Sequence, residues 1–208
     1  MFFLSAQAFA APATVEFLFD LYRGTYVPAY ANLVGYFGEK PEQLLIEIEN
    51  AFAHLSQFYN PELETGVKEA NLRKAYSHLT RATLDCYKLL WWRMNEDLLK
   101  FYNETEIRGF ILNVPEENFL QEYNKFIENA QLARKKELEC IGADSLEAVE
   151  LYKETIKIGK KLLNSIDASN VTKLNKYSKV LESRKFIISF ILGIITGVIG
   201  NVIFGVYF

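Results

Sequence analysis

Every charged residue of the chain lies before position 186, and the stretch from Phe186 to Phe208 reads FIISFILGIITGVIGNVIFGVYF. At 1.5 Å per residue a helix of that length spans about 34 Å, enough to cross a hydrocarbon core of about 30 Å. An uncharged run this long predicts a transmembrane helix rather than a buried soluble one. The run reaches the last residue, so the expectation is a single-pass, tail-anchored membrane protein. Lys173, Lys176, Lys179, Arg184 and Lys185 crowd the entry side, opposed only by Glu182. A basic flank is retained on the cytoplasmic side, which places the N-terminal part in the cytoplasm. The same cations suit anionic headgroups, at about 1 kcal/mol per well-placed charge, so a lipid bilayer is the first expected partner.

The span also carries a ridge. Ser189, Gly193, Gly197, Asn201 and Gly205 recur every four residues, with a GxxxG step from Gly193 to Gly197. Small residues let helix backbones approach closely in lipid, and Asn201 could add an interhelical hydrogen bond. The ridge predicts a homo-oligomer assembled through the tail. At the other end, Met1 to Ala13 lacks the basic n-region of a secretory signal, since the first basic residue is Arg23.

Composition narrows the functional classes. Half of the 208 residues are apolar, which excludes wholesale disorder. The net charge of −3 argues against a general nucleic-acid binder. Two cysteines, Cys86 and Cys140, indicate neither a disulfide scaffold nor a cysteine zinc site. Two histidines cap any imidazole metal site at two such ligands. No cofactor and no metal are expected. Gly-rich phosphate loops, GxSxG and HExxH are absent from the sequence.

The remaining pattern is helical. Val15 to Gly38 is aromatic-rich, with Gly24 and Pro28 as distortions. Leu44, Leu45, Ile48, Phe52, Leu55 and Tyr59 follow Pro41 at helical spacing, and Asn60-Pro61 stops that helix. Asn71 is expected to cap a long helix through Asn103. Pro115 opens another to Cys140, and Asp144 with Glu147 forms a capping box for a helix to Ser165. Ser169 or Asn170 starts the last helix, where Val171, Leu174, Ser178 and Leu181 lie at stalk spacing. The expected architecture is all-α: an antiparallel helical bundle over residues 1–168, a basic juxtamembrane stalk over 169–185 and one transmembrane helix over 186–208.

One internal match carries the candidate site. Ala51-Phe52-Ala53-His54-Leu55-Ser56 recurs 24 positions later as Ala75-Tyr76-Ser77-His78-Leu79-Thr80. Both copies fall on helices flanking one turn. A hairpin folded about Gly66, midway between the histidines, would set the two imidazoles at one level, with Phe52 and Tyr76 filling the adjoining core. Paired imidazoles could share a proton, act as acid and base, or bind one metal weakly if Glu47, Glu49 or Asp85 completed the site. The structural alternative is that each histidine satisfies a polar neighbour inside the bundle. Glu42, Glu47 and Glu49 read as solvated first-turn or surface charges. Arg134-Lys135-Lys136 reads as a wet helix face, and one of Trp91 and Trp92 enters the core.

Arg73-Lys74-Ala75-Tyr76-Ser77-His78 has the spacing of arginine, four residues, histidine that resembles HEPN-domain ribonucleases, which are small helical bundles. The resemblance covers Leu44 to Leu90. It implies phosphate contact by Arg73 and acid–base work by His78, acting on RNA without a metal. Lys74 departs from the polar residue that often follows the arginine in that family, and Glu49 occupies the arginine position of the first copy, so His54 is not catalytic by this pattern. Two functional expectations stand together. One is a noncatalytic interaction or sensor module with a protein partner, serving as a stress or phage-defence effector. The other is a membrane-tethered ribonuclease with RNA as its partner. A third, pore formation by the clustered spans, follows from the tail.

Overall fold

The structure, a computed structural model, describes residues 14–106, 108–140 and 145–173, together with Lys176, Lys185, Ile188 and Ser189. The described chain is built from helices. Thr14 starts the first one, α1 (Val15–Leu21), its hydroxyl accepting from the Phe17 N–H at 3.1 Å. A π segment (Tyr22–Tyr26) then runs directly into α2 (Val27–Phe37). Pro28 has no N–H to return to the carbonyl four residues back, and the hydrogen-bond ladder widens just before it. The distortion expected around Gly24 and Pro28 is therefore a π bulge that leaves the rod unbroken. Gly38 ends α2 at φ 80°, a left-handed position that glycine takes without a Cβ penalty, and donates its N–H to Val34 at 2.8 Å.

Helices α3 (Glu42–Phe58) and α4 (Thr65–Asn103) form the antiparallel hairpin expected for this region. Its turn lies at 59–64, so Gly66 sits in the first turn of α4 rather than at the fold point. Asn71 lies inside α4 and is not its cap. At 39 residues, or about 58 Å, α4 is the spine of the bundle. Leu72, Ala75, Leu79, Ala82, Cys86, Leu90, Met94 and Leu98 recur at three- and four-residue steps and are all buried.

A short α5 (Arg108–Ile111) leads to α6 (Glu116–Glu139), which packs on α7 (Leu146–Asn164), and α7 packs on α4. Ser145 immediately precedes α7; Asp144, the expected capping residue, lies outside the described residues. The C-terminal end of α7 is tied to the α5 region through an antiparallel bridge between Leu112 and Ile166, flanked by Asn113 N–H to Ser165 at 2.9 Å and Asp167 N–H to Ile111 at 2.7 Å. Residues 168–173 continue as helix. Asp167, not Ser169 or Asn170, caps that turn: its carboxylate accepts from the N–H groups of Ser169 and Asn170 at 2.8 and 3.2 Å. Val171 packs against the core, so the stalk begins as part of the bundle.

The all-helical expectation is met, but its final element must be corrected. Among the described residues no helix is long and apolar enough to cross a membrane. Even the longest, α4, carries charges along its whole length, from Lys68 and Glu69 to Asp97 and Lys100. Phe186–Phe208, apart from Ile188 and Ser189, lies outside the described residues, and with it the ridge positions Gly193, Gly197, Asn201 and Gly205. Ser189, Lys173, Lys176 and Lys185 are exposed; Lys179 and Arg184 fall outside the described residues.

Candidate functional site

The two histidines meet in the α3–α4 seam. Their rings stack with centroids 5.3 Å apart and planes inclined by 17°. Each is held by a different neighbour on the opposite helix. His78 Nδ1 lies 2.7 Å from Glu47 Oε2, and His54 Nδ1 lies 2.8 Å from Asn71 Oδ1. The Asn71 amide nitrogen donates to the Val67 carbonyl at 3.0 Å, which turns its oxygen toward His54. His54 Nδ1 must therefore be the donor, and an ionised Glu47 makes His78 Nδ1 a donor as well. A neutral imidazole with Nδ1–H presents Nε2 as a lone pair, and neither Nε2 has a hydrogen-bond partner among the described residues.

Both level pairs, His54 with Asn71 and Glu47 with His78, are centred between Glu62 and Leu63, inside the turn. Folding about Gly66 would have set the histidines level; instead they belong to layers seven residues apart and lean together. The contact predicted from the repeat forms, although its register differs. Phe52 is correspondingly not a core residue, being 72% exposed, while Tyr76 is half-buried and stacks on Phe17 of α1 at 5.4 Å.

Glu47 is the main correction within the site. It is 6% exposed, not solvated, and its second oxygen lies 3.7 Å from Arg81. Arg81 follows His78 by three residues on the same face of α4. Sequence reasoning passed over it; the signal was the helical step from a histidine already under suspicion. Arg73, by contrast, is five positions from His78, about 140° around the helix at 100° per residue. It is exposed and has no ion-pair partner among the described residues. The cation at the imidazole is thus Arg81, and the structure does not bring Arg73 and His78 to one face.

The arrangement suits proton handling better than metal binding. Nearly parallel rings project their lone pairs side by side rather than onto a common point. Among the described residues no cluster of three or more His, Cys, Asp or Glu is placed to hold a metal. Glu49 is exposed. Asp85 belongs to another cluster, two turns farther along α4, where Lys88 bridges Asp85 at 3.1 Å and Glu137 of α6 at 3.0 Å. Arg134 closes on the same Glu137 oxygen at 2.7 Å. Burial pushes the Glu137 carboxyl up, but the hydrogen bonds from Arg134 and Lys88 outweigh it and hold the group below its ordinary value. Cys86 offers no nucleophile, because burial pushes its thiol up to about 12.

That ion cluster edges a cleft of about 1050 Å³ between α4 and α6, floored by Tyr152 of α7. Leu89, Trp91, Trp92, Ile127 and Leu138 supply its apolar walls. Trp91 is half-buried with no hydrogen-bond partner for Nε1 among the described residues, whereas Trp92 is 48% exposed, which agrees with one of the two entering the core. The cleft is not legible in the sequence, since α4 and α6 are separate segments that come together only in the folded chain.

A second apolar surface runs along the flank of α3. Leu45, Phe52 and Tyr59 recur every seven residues and are 46, 72 and 62% exposed. Ile48 and Leu55 lie between them and pack partly on the core. No family model, no curated protein and no solved structure matches this chain.

Proposed function

We propose that the chain is a noncatalytic helical interaction module that self-associates through α3. The observation that carries this reading is the stripe of Leu45, Phe52 and Tyr59, large exposed apolar side chains on a helix whose main packing partner among the described residues is α4. With Ile48 and Leu55 the stripe has the alternating three- and four-residue steps of a coiled-coil seam, and a second copy presents the same steps. Antiparallel pairing about Phe52 sets Leu45 opposite the second copy's Tyr59 and brings Glu49 beside Ser56. The antiparallel arrangement is favoured because it gives Glu49 a polar neighbour. The α4–α6 cleft, an apolar cavity with a few polar groups at its edge, offers such a module a place for a small ligand. Expectations of anchoring, clustering in the membrane and pore formation attach to residues outside the described bundle and carry no part of it.

Sedimentation equilibrium tests the assembly. The full chain is expected to show a concentration-dependent dimer, and Phe52→Glu is expected to weaken it at least tenfold, about 1.4 kcal/mol or more. A wild-type chain that stays monomeric at high protein concentration would overturn the proposal.

A second reading is favoured by one contact, Glu47 to His78. A carboxylate that orients an imidazole and leaves Nε2 open is the layout of a general base, so metal-independent RNA cleavage at His78 is the alternative, as the HEPN-like spacing implies. Incubation with RNA separates the two. The noncatalytic reading expects no cleavage by wild type; cleavage by wild type that disappears in His78→Ala would install the enzyme in its place.

A further inference from the structure

A cleft of about 670 Å³ opens where the N-terminal part of α6 meets the C-terminal part of α7, away from the histidines and from α3. On the α7 side, Lys157, Lys160, Lys161 and Asn164 occupy one helical face. Asn118 and Glu122 face them from α6. The floor is apolar and rigid, made by Phe119 and Leu162, both buried. Its rim is fixed by Asn113, whose backbone N–H and side-chain amide donate to Ser165 and Asn164 at 2.9 and 3.0 Å.

The charge balance of this cleft opposes that of the chain. Three lysines line it against one carboxylate, in a protein whose net charge is −3. Two of the lysines are tethered: Lys160 donates to the neutral Asn32 oxygen of α2 at 2.8 Å, and Lys161 reaches Glu122 across the cleft at 3.3 Å. Lys157 pairs outside the cleft with Glu154. Lysine and amide side chains lining a small cavity match a compact anion carrying several oxygens and more than one charge.

From this geometry we propose that the α6–α7 cleft binds a phosphate-bearing anion, either a small phosphorylated molecule or the phosphate of a lipid headgroup. Glu122 is the built-in competitor. Its carboxylate holds Lys161 in place while the cleft is empty of ligand and is displaced from it when a phosphate enters.

Titration of the full chain with inorganic pyrophosphate in low salt tests the site. The expected result is one binding event per chain that weakens as salt rises. Lys157→Gln with Lys161→Gln is expected to weaken it about tenfold or more, whereas Glu122→Gln is expected to tighten it severalfold. Folding of each variant is checked by circular dichroism. Vesicles containing phosphatidic acid identify the source. Capture that pyrophosphate competes away supports a lipid headgroup, and pyrophosphate binding without such competition supports a free phosphorylated molecule. Absence of pyrophosphate binding by wild type, equal affinity in the double lysine variant, or weaker affinity in Glu122→Gln would each overturn the proposal.

Discussion

Gly159→Val is expected to destabilise the bundle by about 3 kcal/mol, and Gly159→Ala by about 1–2 kcal/mol, even though alanine is the better helix former. Gly159 lies in the middle of α7, where α7 crosses both α6 and α4. A Cβ built there meets Phe126 Cε2 at 2.8 Å and Met94 Sδ at 3.2 Å. Phe126 and Met94 are 0 and 1% exposed, so neither ring nor thioether has space into which to retreat. Overpacking of this kind costs about 1–3 kcal/mol, while the helix-propensity gain from glycine to alanine returns only about 1 kcal/mol. Gly35, in α2, is the internal control. Nothing lies within 4 Å of a Cβ at that position, and Gly35→Ala is expected to stabilise by about 0.5–1 kcal/mol. Chemical denaturation of both variants beside wild type makes the comparison; a Gly159→Ala protein at least as stable as wild type would show that the three helices are not closely packed there.

The second large effect lies in the histidine seam. His78→Ala is expected to cost about 2–3 kcal/mol, because Glu47 would remain buried with only Arg81 near it at 3.7 Å. Glu47→Leu should cost less, since the Nδ1 it strands belongs to a side chain that keeps 23% of its exposure and can find water. Removing both, as Glu47→Leu with His78→Leu, is expected to recover most of the loss, as a buried polar pair replaced by apolar groups of similar size is often neutral. The double-mutant cycle should therefore show a coupling of about 1 kcal/mol or more. Strictly additive losses would mean that the 2.7 Å contact between Glu47 and His78 contributes nothing to the fold. The cycle also bears on function: a double variant that folds well yet loses self-association or RNA cleavage would assign the pair a task beyond packing.

The seam shows how far the sequence reaches and where it stops. The repeat around His54 and His78 was visible as letters, and periodicity placed both copies on neighbouring helices. That was enough to anticipate two imidazoles in contact. It was not enough to obtain their partners, because those depend on where the chain turns. Thr65 begins α4 six residues before Asn71, the fold centre moves from Gly66 to the Glu62–Leu63 bond, and the shift carries Glu47 opposite His78 and Asn71 opposite His54. A displacement of a few residues in a hairpin turn changes every cross-helix pair, and local propensity determines such boundaries poorly. The same shift leaves Phe52 on the outer flank of α3, where it was expected in the core.

By itself, the sequence determined the helical class, the distortion at Gly24 and Pro28 and the stop at Asn60-Pro61, because each depends on backbone chemistry or on a periodicity of 3.6 read within one segment. Only the tertiary structure decided that Arg81 rather than Arg73 accompanies His78, that Glu47 is buried, and that α4 and α6 enclose a cleft over Tyr152. Those features are produced by the relative rotation and offset of helices far apart in the chain. The energies that choose among such arrangements are carried by side-chain packing, such as the fit of Phe126 against Gly159, and not by any pattern along a single helix.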